Sequence, residues 1–361
     1  MPLSGTVITV VAAMIIGYAL LARGFSSASL TAPMLSVVAG LVFFSIGHID
    51  IHADFVHALA EITLVVVLFH DASTVQLSRL VNDPGIATRL LLIGFPLAML
   101  ATYLVTRSLL PAVGVAGAVL IAAAITPTDA GLGAATVLNP VVPLRVRRGL
   151  NVESGLNDGL ATPVVLLALS ALAAAEGDPV PGLFGVGVMP ALWALACAVV
   201  ITLAVAWCMD RSRERHFSGH RGRQIATLLL PGLLFGVAES VGANVFITAF
   251  VGGLVFGWAS VSLTEEHETA GLLETAADLL GFIVWFLFGG LLLRVIEVGI
   301  SWRWVLIAVL ALTVLRIVPV AVALAGSGFR WPTVFFRLYC HECGSGGVCY
   351  VWRGVGVWAH G

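Results

Sequence analysis

The sequence predicts an all-α polytopic membrane protein, and three observations carry that reading. The 361 residues are 59% hydrophobic and 11% charged, with a mean hydropathy of +1.04, more apolar surface than a soluble core of this size can hide. Apolar runs long enough to cross a hydrocarbon layer of about 30 Å recur along the chain, bounded by Gly, Pro or charge. Two neighbouring runs also carry carboxylates at depths where lipid tolerates none. The net charge of −2 offers nothing to nucleic acid. All 18 basic residues are Arg.

About eleven spans are expected, near residues 6–22, 30–47, 55–71, 88–110, 112–138, 149–174, 187–209, 223–241, 244–260, 275–293 and 302–326. The first, Thr6–Ala22, has no basic segment ahead of it and reads as a spanning helix, not a cleaved signal. The loop HIDIHADFVH gathers His48, Asp50, His52, Asp54 and His57; its H-x-D-x-H spacing suits a metal or a pH sensor, but the bland reading, a solvated loop, is preferred. The third span holds Glu61 and ends in FHDAS, with Asp71 expected in water at its cytoplasmic end. A short interfacial helix closing at Asn82-Asp83-Pro84-Gly85 leads to the fourth span. Residues 175–188 form a Gly/Pro-rich external loop, and Cys197 and Cys208 share the helix after it as inert thiols.

Arginine placement orients the spans, because short cytoplasmic loops carry the basic excess. Arg23 follows the first span, Arg79 and Arg89 the third, Arg145, Arg147 and Arg148 the fifth, and Arg211, Arg213, Arg215, Arg221 and Arg223 the seventh. The alternate loops up to the eighth span hold only Arg107. The N-terminus is therefore expected outside and the protein in the cytoplasmic membrane. Arg294, Arg303 and the acidic loop SVSLTEEHETAGLLE run against this pattern over the last spans.

The fifth and sixth spans hold the candidate site. The fifth, AVGVAGAVLIAAAITPTDAGLGAATVL, carries Thr126, Pro127, Thr128 and Asp129 at its middle. Pro127 removes an N–H and clashes with the preceding turn, so the helix should break just before Asp129. Such a break at membrane depth is tolerated where it lines a protein or water-filled cavity, and its freed carbonyls suit a cation. The sixth, GLNVESGLNDGLATPVVLLALSALA, carries Glu153, Ser154, Asn157 and Asp158. If it enters the bilayer near Gly149, Asp158 lies roughly 14 Å deep at 1.5 Å per residue. Glu153 and Asn157 share one face at i,i+4, and Ser154 and Asp158 the adjacent one. Carboxylate, amide and hydroxyl oxygens suit a hard monovalent cation, and a carboxylate can hold a proton in its place. Competition for one carboxylate makes a site that exchanges a proton for a metal ion.

Arg316, in VLALTVLRIVPVAVALA, is the lone basic residue deep in an apolar span and needs an anionic partner. Glu153, Asp129 and Asp158 are candidates; Glu153 is favoured, because pairing with Asp158 would occupy the exchanging carboxylate. The tail FFRLYCHECGSGGVCYVWRGVGVWAHG contains C-H-E-C, but haem attachment needs C-x-x-C-H and a zinc ribbon needs a second pair. The tail has no helical period and over-uses Gly, Cys, Arg and Trp, the look of a GC-rich frame after a one-base slip. No cofactor motif is present, and no cofactor or resident metal is expected.

The succession LFHDAS, ITPTDAGLG, NVESGLNDGLATP and LRIVPVAVAL resembles the monovalent cation:proton antiporters of the NhaP/NHE type, over residues 1 to about 334. The resemblance implies exchange of Na⁺ (in some members K⁺ or Li⁺) for H⁺, and an inverted-repeat bundle of about thirteen helices forming a homodimer. It implies that Asp158 carries the ion or proton and that Asn157 marks the electroneutral branch. Ser154, Thr128 and Asp129 would help coordinate, and Glu153 and Arg316 would form a structural ion pair. The domain division expected is an incomplete exchanger domain, 1–334, and an aberrant tail, 335–361: the family's second broken helix and final span have no counterpart here. Readings from other classes are a channel, a non-transporting remnant, and an intramembrane hydrolase. The last is disfavoured because no H-E-x-x-H occurs and Ser154 has no spaced His.

Overall fold

A computed structural model describes residues 5–27, 30–47, 53–75, 85–128, 144–177, 188–260 and 270–325, and the elements among them are all helical. They are α1 (Gly5–Ser27), α2 (Ala32–Gly47), α3 (Ala53–Thr74), α4 (Gly85–Arg89), α5 (Phe95–Leu109), α6 (Gly114–Ile125), α7 (Leu144–Glu176), α8 (Met189–Glu214), α9 (His220–Ser240), α10 (Val245–Ala259), α11 (Gly271–Val298), α12 (Trp302–Leu312) and α13 (Val314–Leu324). A π-helical turn, Leu90–Gly94, joins α4 to α5 just ahead of Pro96, whose missing N–H leaves the wider ladder in place.

Each expected span contains a helix. Among the described residues, seven stretches are long and apolar enough to cross a membrane: Gly5–Ala22, Phe55–Thr74, Ala87–Leu109, Val152–Ala175, Met189–Glu214, Gly271–Val298 and Trp302–Leu324. Helices α2, α6 and α10 are apolar but shorter. Outward-facing Leu20, Leu92, Val200 and Leu229 are exposed, as a lipid-facing surface requires. Exposed Trp193, Trp258, Trp302 and Trp304 sit near helix ends, where indoles meet the membrane interface. Within the spans, hydroxyls bond back to their own helix, Thr63 to the Leu59 carbonyl and Thr102 to that of Ala98.

Glycines set the closest helix contacts. A Cβ at Gly40 of α2 would strike the Phe286 carbonyl of α11, and one at Gly289 would strike the Val37 carbonyl in return. Gly253 and Gly257 of α10 lie one turn apart and approach the Phe69 and Ser73 carbonyls of α3 in the same way. Around these contacts Val65, Phe69, Ala206, Leu230, Leu234, Phe256 and Leu273 join α3, α8, α9, α10 and α11 in one core. A second core, of Val7, Val11, Phe44, Phe286 and Leu287, ties α1 and α2 to α11.

Helix α7 begins at Leu144, and its apolar stretch, Val152–Ala175, starts within three residues of the span expected from Gly149. One boundary departs from expectation. The last span is divided at Thr313 (φ −125, ψ −96) into α12 and α13. Pro319 lies inside α13 and has no N–H to return to the Leu315 carbonyl, weakening the ladder near the division. Of the interfacial helix expected over residues 72–87, residues 72–74 continue α3 and Gly85 opens α4, while residues 76–84 lie outside those described.

Candidate cation site

The site is built where the end of α6 meets the first half of α7. Helix α6 stops at Ile125; Thr126 still bonds the Ala122 carbonyl through its N–H at 3.0 Å and its hydroxyl at 2.7 Å. Pro127 has no N–H to continue, and the chain bends through residues 126 and 127. The expected break is therefore present, three residues ahead of Asp129, which itself lies outside the described residues.

Close packing fixes the facing helix. At Gly155 of α7 a Cβ would stand 2.8 Å from Val75 Cγ2 and 3.2 Å from the Asp71 carbonyl, so α3 lies directly against it. At Gly159 a Cβ would strike the Phe250 ring of α10. Ala72, Val75, Leu91, Leu156 and Phe250 form the apolar floor beneath this crossing. Pro163 sits inside α7, and Thr162 Oγ1 donates to the Asp158 carbonyl at 2.8 Å.

On this frame Thr128, Ser154 and Asn157 come together. Thr128 is 8% exposed, Ser154 3% and Asn157 0%. Thr128 Oγ1 lies 3.4 Å from Ser154 Oγ, and Asn157 Nδ2 donates to the same Thr128 oxygen. The contacts to the break are thus made at i,i+3, by Ser154 and Asn157. Asn157 Oδ1 is buried and accepts no hydrogen bond from the described residues. An amide oxygen left so costs about 1–3 kcal/mol unless something positive meets it. Asp158 and Glu153 are half-buried, and both engage partners within the fold.

Arg316, in the first turn of α13, reaches across to the break. Its Nη1 donates to the Thr126 carbonyl at 2.7 Å and stands 3.5 Å from that of Pro127. A guanidinium at the C-terminal end of a helix meets its negative dipole pole and an orphan carbonyl together. One carbonyl that the sequence offered to a cation is thereby taken by arginine.

The other predicted positions are more dispersed. Glu61 is half-buried on α3 and His57 exposed. Asp71 is also half-buried and bonds His70 Nδ1 at 3.1 Å. Residues 48–52 and the whole Cys-rich tail fall outside the described residues. Among those described, no group of His, Cys, Asp or Glu is arranged to hold a resident metal. The Gly155 and Gly159 approaches and the Arg316 clamp were missed by the sequence reading; the spacing G-x-x-x-G within the site helix was the available signal for the first.

A family model described as "Sodium/hydrogen exchanger, transmembrane" matches residues 9–344. The Na(+)/H(+) antiporter 2 of Zygosaccharomyces rouxii is 25% identical over 227 residues, 58% of this chain and 27% of that protein. The Na(+)/H(+) antiporter of Schizosaccharomyces pombe is 26% identical over 157 residues, 42% of this chain and 34% of that protein. The matches thus span about a third or less of these relatives' lengths. The solved structure of the sodium proton antiporter MjNhaP1 from Methanocaldococcus jannaschii at pH 8 has the same fold. Its TM-score is 0.68 at 18% identity, over 98% of this chain and 87% of that one. A three-dimensional electron-microscopy map of MjNhaP1 gives 0.65 at 17% identity, over 99% and 88%.

Proposed function

The chain belongs to the sodium/hydrogen exchanger family, and from that premise we propose that it exchanges a monovalent cation, Na⁺ before K⁺ or Li⁺, for H⁺ by alternating access. The exchange takes place across the cytoplasmic membrane, with the N-terminus outside and the protein a homodimer in the lipid bilayer. Asp158 is the carrier, binding the cation or the proton but not both. Thr128, Ser154, Asn157 and Asp129 supply the remaining oxygens. Because Asn157 is neutral, one carboxylate serves both cargoes, and each loaded state carries the same charge. Glu153 and Arg316 form the structural ion pair that joins α7 to α13.

One observation carries this reading: the buried Asn157 oxygen, with no hydrogen-bond donor among the described residues, beside Thr128 and Ser154 at a broken helix. A hard cation is the partner that such an oxygen lacks. Replacing Asn157 with Ala removes the amide oxygen without adding bulk at a fully buried position. Sodium-evoked proton movement in everted vesicles is then expected to need roughly 5- to 150-fold more Na⁺ for half-maximal rate, the equivalent of about 1–3 kcal/mol. An unchanged half-maximal concentration would remove Asn157 from the site. In the same vesicles the wild-type rate is expected to fall on acidification, as protons displace the cation from Asp158. A half-maximal Na⁺ concentration that stays constant as the pH falls to about 4, into the ordinary carboxylate range, would count against that competition.

A further inference from the structure

At the end of the bundle where α8 passes into α9, a second site is built from residues that the exchange reaction does not use. A cavity of about 460 Å³ lies between the two helices, lined by Val205, Cys208, Met209, Ser212, Ser218 and Arg223. Its inner wall is apolar. Its outer end is polar: Arg223 is only 7% exposed, and its Nη1 donates to the Ser218 carbonyl at 2.9 Å. Ser218 Oγ is buried there with no hydrogen-bond partner among the described residues. The turn holding Ser218 is anchored on the Ser212 carbonyl, which accepts the Phe217 N–H at 2.9 Å.

The surroundings carry a net positive charge. The stretch from Asp210 to Arg223 contains Arg211, Arg213, Arg215, Arg221 and Arg223, against Asp210 and Glu214. Glu214 is bonded to Arg211 at 2.7 Å, so its charge is matched locally. Helix α8 ends as an apolar span at Glu214, which puts the polar end of the cavity at a membrane face. Phe217 beside it is 79% exposed, as suits a ring dipping into the headgroup layer. A cavity with an apolar wall, a buried guanidinium at its mouth and a basic rim matches a ligand with an acyl chain and a negative headgroup. Free phosphate would leave the apolar wall empty, and a zwitterionic lipid would set its ammonium group against the arginine rim. We infer that the α8–α9 cavity binds an anionic phospholipid, with its phosphate at Ser218 and Arg223 and an acyl chain along Val205, Cys208 and Met209.

Cys208, expected from the sequence to be an inert thiol, is exposed and lines this cavity, so the wild-type chain reports its own occupancy. The full chain, purified in detergent, is labelled with a maleimide in the presence of phosphatidylglycerol, phosphatidylcholine or inorganic phosphate. Modification at Cys208 is followed by peptide mass spectrometry. Phosphatidylglycerol at ten times its dissociation constant is expected to slow labelling about tenfold, while the other two leave the rate unchanged. In Ser218→Asp, a carboxylate occupies the phosphate position and the protection is expected to vanish. Equal protection by phosphatidylcholine would make the cavity an unselective acyl groove. Protection by phosphate alone would make it a plain anion site. No protection by phosphatidylglycerol in the wild type, or full protection in Ser218→Asp, would likewise overturn the inference.

Discussion

Asp158→Asn is expected to abolish exchange while leaving the protein folded. The amide keeps the shape of the side chain and an oxygen toward the site, but it can neither carry a proton away nor neutralise a cation. An uncompensated charge within the membrane costs about 2.5–3.5 kcal/mol on insertion scales. That corresponds to about a hundredfold or greater loss of cation affinity. Sodium-evoked proton movement in everted vesicles is therefore expected to fall about a hundredfold or more, with thermal stability in detergent close to wild type. Asp158 is half-buried on a helix held by its glycine faces, so the change removes chemistry and not packing. A robust, unchanged signal in Asp158→Asn would place the carrier elsewhere. Uptake of Na⁺ with no countertransported proton in the wild type would point to a channel.

The second large effect is structural. Gly253→Leu is expected to destabilise the bundle, because even the first carbon added at that position meets the Phe69 carbonyl of α3. Backbone against backbone cannot rotate aside, so the helices must separate. Overpacking of this kind costs about 1–3 kcal/mol in ordinary cores, and the contact here is with main chain, so about 3 kcal/mol is expected. Gly281→Leu on α11 supplies the comparison, since a Cβ there meets nothing within 4 Å. Its thermal midpoint is expected to match wild type or exceed it, because Gly is a poor helix former. Equal midpoints for the two variants would mean that α3 and α10 are not held at glycine distance.

These expectations rest on features of unequal legibility. The break at 126–128 was visible because Pro127 acts locally, through a missing N–H and a clash one turn back. The polar face of α7 was visible because Glu153, Ser154, Asn157 and Asp158 stand out against apolar neighbours. Which of them meet the break was not: it depends on how α7 is rotated against α6, and Gly155 and Gly159 set that rotation through α3 and α10. The division at Thr313 was missed because the apolar run continues on both sides of it, and Arg316 and Pro319 lie beyond the division and not at it. Arg316 was recognised as needing a partner, but its bond to the Thr126 carbonyl spans 190 residues and no local signal could assign it.

The most direct test of a single carboxylate that trades a proton for a cation is to measure protons released when Na⁺ binds. The purified chain, weakly buffered with a pH dye, is titrated with NaCl and compared with choline chloride and with Asp158→Asn. The wild type is expected to release a proton for each Na⁺ bound, less so as the starting pH rises and the carboxylate is already ionised. Asp158→Asn is expected to release none. Sodium binding without proton release in the wild type, or the same release from Asp158→Asn, would contradict the assignment of exchange to this site.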